Sequence, residues 1–151
     1  AGRSLLAMKF LAMRLMQIGL KVYLVGEVCT PSIREGDLLL VGSGSGETAG
    51  MIAICKKAKA AGAEVAVFTK NRNSTIASIA KVAVQLNTAK PIQEGAAGPD
   101  GWIEGNYFSI RPSGNPFEQS IVIVGDAMVC ELMQKTNCGT AKIAYNHANL
   151  E

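Results

Sequence analysis

Leu38-Leu39-Leu40-Val41-Gly42-Ser43-Gly44-Ser45-Gly46-Glu47-Thr48 is the stretch on which the fold of this chain turns. Residues 38–41 are an unbroken apolar run between Gly36-Asp37 and Gly42. Such a run fits a strand covered on both faces, as in a parallel sheet. Residues 47–61 (ETAGMIAICKKAKAA) then carry a helical pattern, which Gly62 closes. The loop between strand and helix holds glycines at 42, 44 and 46 and hydroxyls at 43, 45 and 48. Free N–H groups at a helix N-terminus point outward and favour an anion, and glycines let that anion approach the backbone. A phosphate group is the ligand this chemistry suits. A Walker loop is excluded because Glu47 stands where it needs lysine, and the glycine spacing does not fit a dinucleotide fingerprint.

The same alternation extends in both directions. Downstream, Glu64–Thr69 (EVAVFT) reads as a second buried strand. Ser74 caps a helix over about residues 75–80, and Val82–Leu86 (VAVQL) reads as another strand. Upstream, residues 4–18 have apolar positions at helical spacing, with Ser4 as N-cap and Gly19 as stop, and Lys21–Val25 (KVYLV) reads as a strand. Strand and helix alternate in units too short for hairpins. The pattern predicts an α/β fold with a parallel sheet between two layers of helices. Residues 87–116 break the rhythm with four of the five prolines, and a loop this long is a functional or mobile element. Residues 116–135 are again helical, with Pro116 in the first turn and Lys135 at the C-terminal end. Ala1-Gly2-Arg3-Ser4 reads as a turn after a strand, so the sequence is expected to begin inside a β-turn-α unit, with roughly 30 residues upstream completing it.

Composition limits the class. The 151 residues fit one domain, spanning residues 1–151, and 48% of them are apolar. A net charge of +3 suits a small anionic ligand and is too weak for a nucleic-acid partner. Lys9 and Arg14 interrupt the apolar run 5–20, which is too short to span a membrane. Cys29, Cys55, Cys130 and Cys138 have no zinc spacing and are expected as free, buried thiols of a cytoplasmic protein.

Three further residues carry candidate chemistry. Ser4 stands in a second loop-to-helix turn, on the sheet edge where open α/β sheets bind ligands. It is read equally as a ligand group and as a helix cap. Glu118, in the first turn of helix 116–135, is placed either for the helix dipole or as a general base. His147, the one histidine, sits in a polar tail that can reach a neighbouring subunit.

Several segments together resemble a known family. They are Gly2-Arg3-Ser4, Ala12–Met16, Val25-Gly26-Glu27, Glu35–Leu39, Ser43–Thr48, Phe117-Glu118-Gln119 and His147–Glu151. On them the chain is similar, from first residue to last, to the 6-phospho-3-hexuloisomerases of the sugar isomerase (SIS) superfamily. The resemblance implies interconversion of D-arabino-hex-3-ulose 6-phosphate and fructose 6-phosphate through a cis-enediolate, within the ribulose monophosphate pathway of formaldehyde fixation. It implies a five-stranded sheet whose first strand, with the helix before it, would precede Gly2. It implies a homotetramer with sites at subunit interfaces, and neither a metal nor an organic cofactor. Ser4, Ser43, Gly44, Ser45, Gly46, Glu47 and Thr48 would bind substrate, Glu118 would transfer the proton, and His147 would assist ring opening or polarise O2 and O3. The segment Pro112-Ser113-Gly114-Asn115-Pro116 departs from the family's pattern, which has no second proline there. The alternatives are a sugar-phosphate-sensing SIS module and an isomerase of the phosphoheptose or arabinose 5-phosphate type.

Overall fold

The computed structural model describes residues 1–88 and 116–150. In chain order the elements are α1 (Gly2–Gln17), β1 (Leu38–Gly42), α2 (Ala49–Ala60), β2 (Glu64–Thr69), α3 (Thr75–Ile79), β3 (Val82–Gln85), α4 (Pro116–Lys135) and α5 (Thr140–Asn146). The strands form a parallel sheet in the order β1-β2-β3. Leu38 pairs with Glu64 and Gly42 with Phe68, and Ala66 pairs with Val82. All three strands therefore end on the same edge.

Side-chain alternation along the strands divides the core in two. Leu39, Val41, Val65 and Val67 pack with Cys55 and Ala58 of α2 and Ile76 of α3. On the other face, Phe68 packs with Ala7 and Leu11 of α1 and with Phe117, Ile121 and Val129 of α4, while Leu40 and Val84 flank them. The result is the three-layer α/β sandwich that the sequence predicts. Gly42 makes close contact between sheet and helices possible. A Cβ there would lie 2.9 Å from Met8 Sδ and 3.2 Å from Ile121 Cδ1. The helix stops are also as expected: Gly19 N–H donates to Met16 O and Leu20 N–H to Leu15 O, the paired bonds of a left-handed C-terminal turn. The same pair recurs after α2, from Gly62 to Lys59 and from Ala63 to Ala58.

Three readings need correction. Lys21–Val25 pairs with no strand among the described residues, and Tyr23 and Val25 are exposed. An apolar run becomes a strand only where a neighbour offers a hydrogen-bond ladder, and none of the three strands does so here. Ser4 is not the cap of α1: the helix starts at Gly2 with Ala1 as N-cap, and Ser4 lies inside the first turn. In addition, residues 140–146, to which the sequence reading gave no structure, form α5. Its Ile143 packs on the core, and Asn146 Nδ2 donates to Gln17 O at 2.9 Å. Finally, Cys55 and Cys138 are buried, but Cys29 and Cys130 are exposed, the latter on the outer face of α4. Of the loop expected over residues 87–116, residues 89–115 lie outside the described residues, and with them all of the Pro112–Pro116 departure but Pro116.

Candidate active site

The carboxyl edge of the sheet gathers three chain segments: the loop after β1, the first turn of α1 and the first turn of α4. Within the loop, Ser43 N–H donates to Phe68 O at 3.0 Å, continuing the ladder one residue past the strand. The chain then folds back on itself. Gly46 N–H donates to Ser43 Oγ at 3.1 Å, and Glu47 N–H to Ser45 Oγ at 3.2 Å. Thr48 is the N-cap of α2 and makes no capping bond with its side chain, so its hydroxyl is available to a ligand. The first N–H groups of α2 have no carbonyl partner within the helix. Ser45 and Thr48 are exposed, whereas Ser43 and Gly46 are buried and hold the loop's shape.

Gly46 is the residue that this shape requires. Its φ of +69° is left-handed, and a Cβ there would come within 2.4 Å of Ser74 Cβ. Ser74 caps α3 by accepting from Ala77 N–H at 3.4 Å, as the sequence predicts. Glu47 adds a second tie to α3. Its carboxylate accepts from Thr75 N–H and from Thr75 Oγ1, each at 2.7 Å. These bonds, the hydroxyl's foremost, hold the Glu47 carboxyl below its ordinary pKa. Glu47 thus faces α3, and its carboxylate ties the loop to that helix.

Glu118 sits in the first turn of α4, directly after Phe117, whose ring lies against Gly44: a Cβ on Gly44 would be 3.5 Å from Phe117 Cδ1. Glu118 Oε1 is 3.5 Å from Arg3 Nε in the first turn of α1. Glu118 Oε2 is buried and has no hydrogen-bond partner among the described residues. A buried carboxylate oxygen left without a donor is destabilising and uncommon, so its retention calls for a function. Ser4 follows Arg3 and is half-buried in the same turn. The structure therefore brings Ser4, Ser43–Thr48 and Glu118 to one sheet edge. Arg3 is a residue that sequence reading missed, although it stands inside the quoted Gly2-Arg3-Ser4 motif.

His147 is not brought there within one chain. It follows α5, which Asn146 ties to Gln17 at the far end of α1, and its Nδ1 lies 3.1 Å from Ala148 O. Arg3 and Gln17 are roughly 20 Å apart along the helix, at 1.5 Å per residue.

This arrangement, a parallel sheet with a hydroxyl-rich loop and an acidic helix start at one edge, is matched by a known domain. Residues 1–99 match the SIS domain, and the chain belongs to that family. The whole chain is 38% identical to 77% of the 3-hexulose-6-phosphate isomerase of Bacillus subtilis. It is likewise 38% identical to 71% of the enzyme of that name from Mycobacterium gastri. Among solved structures, it superposes with a TM-score of 0.79 on 75% of a Methanococcus jannaschii protein, at 30% identity. That structure was taken to infer a 3-hexulose-6-phosphate isomerase function. These relatives, matched along the whole of this chain, place it in the isomerase branch of the SIS family.

Proposed function

We propose that the chain interconverts D-arabino-hex-3-ulose 6-phosphate and fructose 6-phosphate, the isomerisation step of formaldehyde fixation by the ribulose monophosphate pathway. The observation that carries this reading is Glu118: a carboxylate oxygen buried without a partner among the described residues, on a helix start packed against the phosphate-type loop. Moving the carbonyl from C3 to C2 needs a base that removes the C2 proton and returns one to C3. Between the two steps the substrate is a cis-enediolate. One carboxylate serves both transfers, and nearby donors stabilise the oxyanion as it forms. Glu118 is that base. Ser43, Gly44, Ser45, Gly46 and Thr48 bind the phosphate, Glu47 braces their loop, and Ser4 lends a hydroxyl from the facing turn. Holding the phosphate several bonds from the reacting carbons orients the sugar and supplies binding energy to the chemical step.

The proposal extends to a cytoplasmic homotetramer without metal or organic cofactor. The four free thiols fit a reducing compartment. The described residues form no helix long and apolar enough to cross a membrane. Leu6, Phe10 and Met13 form an exposed apolar stripe on α1 that subunit contact would cover. His147 would then act on the site of a neighbouring subunit.

The test is a coupled assay in which a formaldehyde-condensing synthase supplies the hexulose phosphate and fructose 6-phosphate formation is followed. The expected result is turnover with this substrate and none with sedoheptulose 7-phosphate or arabinose 5-phosphate. Turnover of either of those two alone would move the chain to another branch of the family. Sugar-phosphate binding without turnover would make it a sensing module.

A further inference from the structure

Lys70 directly follows β2, on the sheet edge that carries the loop, and sequence reading gave it no role. Its backbone N–H donates to Gly44 O at 3.0 Å, which ties it to the middle of the Ser43–Thr48 loop. Its side chain then runs across Gly44: a Cβ on Gly44 would lie 3.2 Å from Lys70 Cε. The same point is 3.5 Å from Phe117 Cδ1, so the lysine stem and the Phe117 ring border Gly44 together. Lys70 is exposed, and its ammonium forms no ion pair among the described residues. Among the described residues, the two carboxylates beside the loop are otherwise engaged. Glu47 is held by Thr75, and Glu118 is paired with Arg3.

The loop itself supplies N–H groups and hydroxyls but no cation. A phosphate monoester is close to doubly charged at neutral pH. We propose that Lys70 is a further substrate-binding residue, whose ammonium pairs with the phosphate held by Ser43–Thr48. This rests on the phosphate-site reading of that loop. Gly44 has a part in the arrangement as well: a side chain there would push the lysine stem aside.

The test compares the parent with Lys70→Met, which keeps the unbranched stem and removes the charge, and with Lys70→Arg, which keeps the charge. Titration calorimetry with inorganic phosphate and with fructose 6-phosphate reads binding without turnover, and the coupled assay separates KM from kcat. In Lys70→Met both dissociation constants and KM rise about tenfold, while kcat stays within about threefold, as fits loss of one charge-assisted contact to a bound group. Lys70→Arg stays within about threefold of the parent. The gap between parent and Lys70→Met narrows as salt is raised from low to physiological strength, because an exposed pair is screened. Parental phosphate affinity in Lys70→Met overturns the proposal and leaves the loop reading standing. A fall in kcat at unchanged KM also overturns it, by placing the ammonium on the reacting carbons. A parent that binds neither phosphate nor fructose 6-phosphate overturns the loop reading and this proposal together.

Discussion

Glu118 combines two conditions that seldom coexist in a structural carboxylate. One oxygen faces a guanidinium at 3.5 Å, and the other is buried with no donor among the described residues. The Arg3 side chain is 56% exposed, so it orients the carboxylate without sealing it from substrate. A carboxylate fixed at one oxygen, with the other left without a donor among the described residues, suits the proton transfer proposed for it. Glu118→Gln keeps the shape of the side chain and removes its basicity. We expect kcat to fall by about two to four orders of magnitude, the usual worth of a positioned base. Affinity for fructose 6-phosphate and the melting temperature should stay near parental values. Undiminished turnover would place the base elsewhere. The residue was legible in the sequence because a proline and an acidic group mark a helix start, and the Phe-Glu-Gln context narrows it further. Arg3 was not legible as its partner, because the pairing depends on how two helix starts converge over the sheet.

At the level of elements, the loop's shape is imposed by α3, a helix of only five residues. Gly46 sits against Ser74, Ile76 N–H donates to Gly46 O at 3.0 Å, and Glu47 clasps Thr75 by two hydrogen bonds. This bracing has a pH signature. The Thr75 bonds hold Glu47 below the ordinary carboxylate range, and hydrogen bonds from Lys81 and Lys59 do the same for Glu64. A carboxylate with a depressed folded-state pKa adds stability above its unfolded value, about 4.3 for glutamate, and loses that contribution as pH falls through the folded value. The urea midpoint should therefore drop as pH is lowered from about 5 to about 3. In Glu47→Gln the midpoint should be lower at neutral pH and the acid slope shallower, and identical slopes would sever α3 from this linkage. The alternation of strands and helices was legible because each strand is an apolar run bounded by turn residues. Lys21–Val25 misled because its composition is that of a strand while none of the three described strands pairs with it. α5 was missed because its seven residues have no side-chain cap, and no apolar face longer than Ile143 and its flanks marks them.

For the whole molecule, the geometry of α1 sets the question. Glu118 lies beside its first turn and α5, leading to His147, docks at its last. Within one chain these two candidates stand at opposite ends of a 16-residue helix, so a site that uses both must draw them from different subunits. A closed assembly with repeated self-complementary contacts provides for this, because each pairing of two copies creates two equivalent sites. The consequence can be measured by mixing subunits. His147→Ala alone should lower kcat while leaving the loop's phosphate affinity unchanged. Glu118→Gln alone should be nearly inactive. When the two variants are unfolded together, refolded and assayed, a mixed pair holds one site with both defects and one with neither. With random assembly about half of the pairs are mixed, so roughly a quarter of the sites should be intact, and activity should rise well above the sum of the separate variants. Light scattering on the same sample establishes whether subunits have associated. Associated subunits with no recovery would remove His147 from the shared site. Monomeric His147→Ala with parental turnover would confine the chemistry to the α1–α4 edge, with the tail serving only to hold α5 on α1.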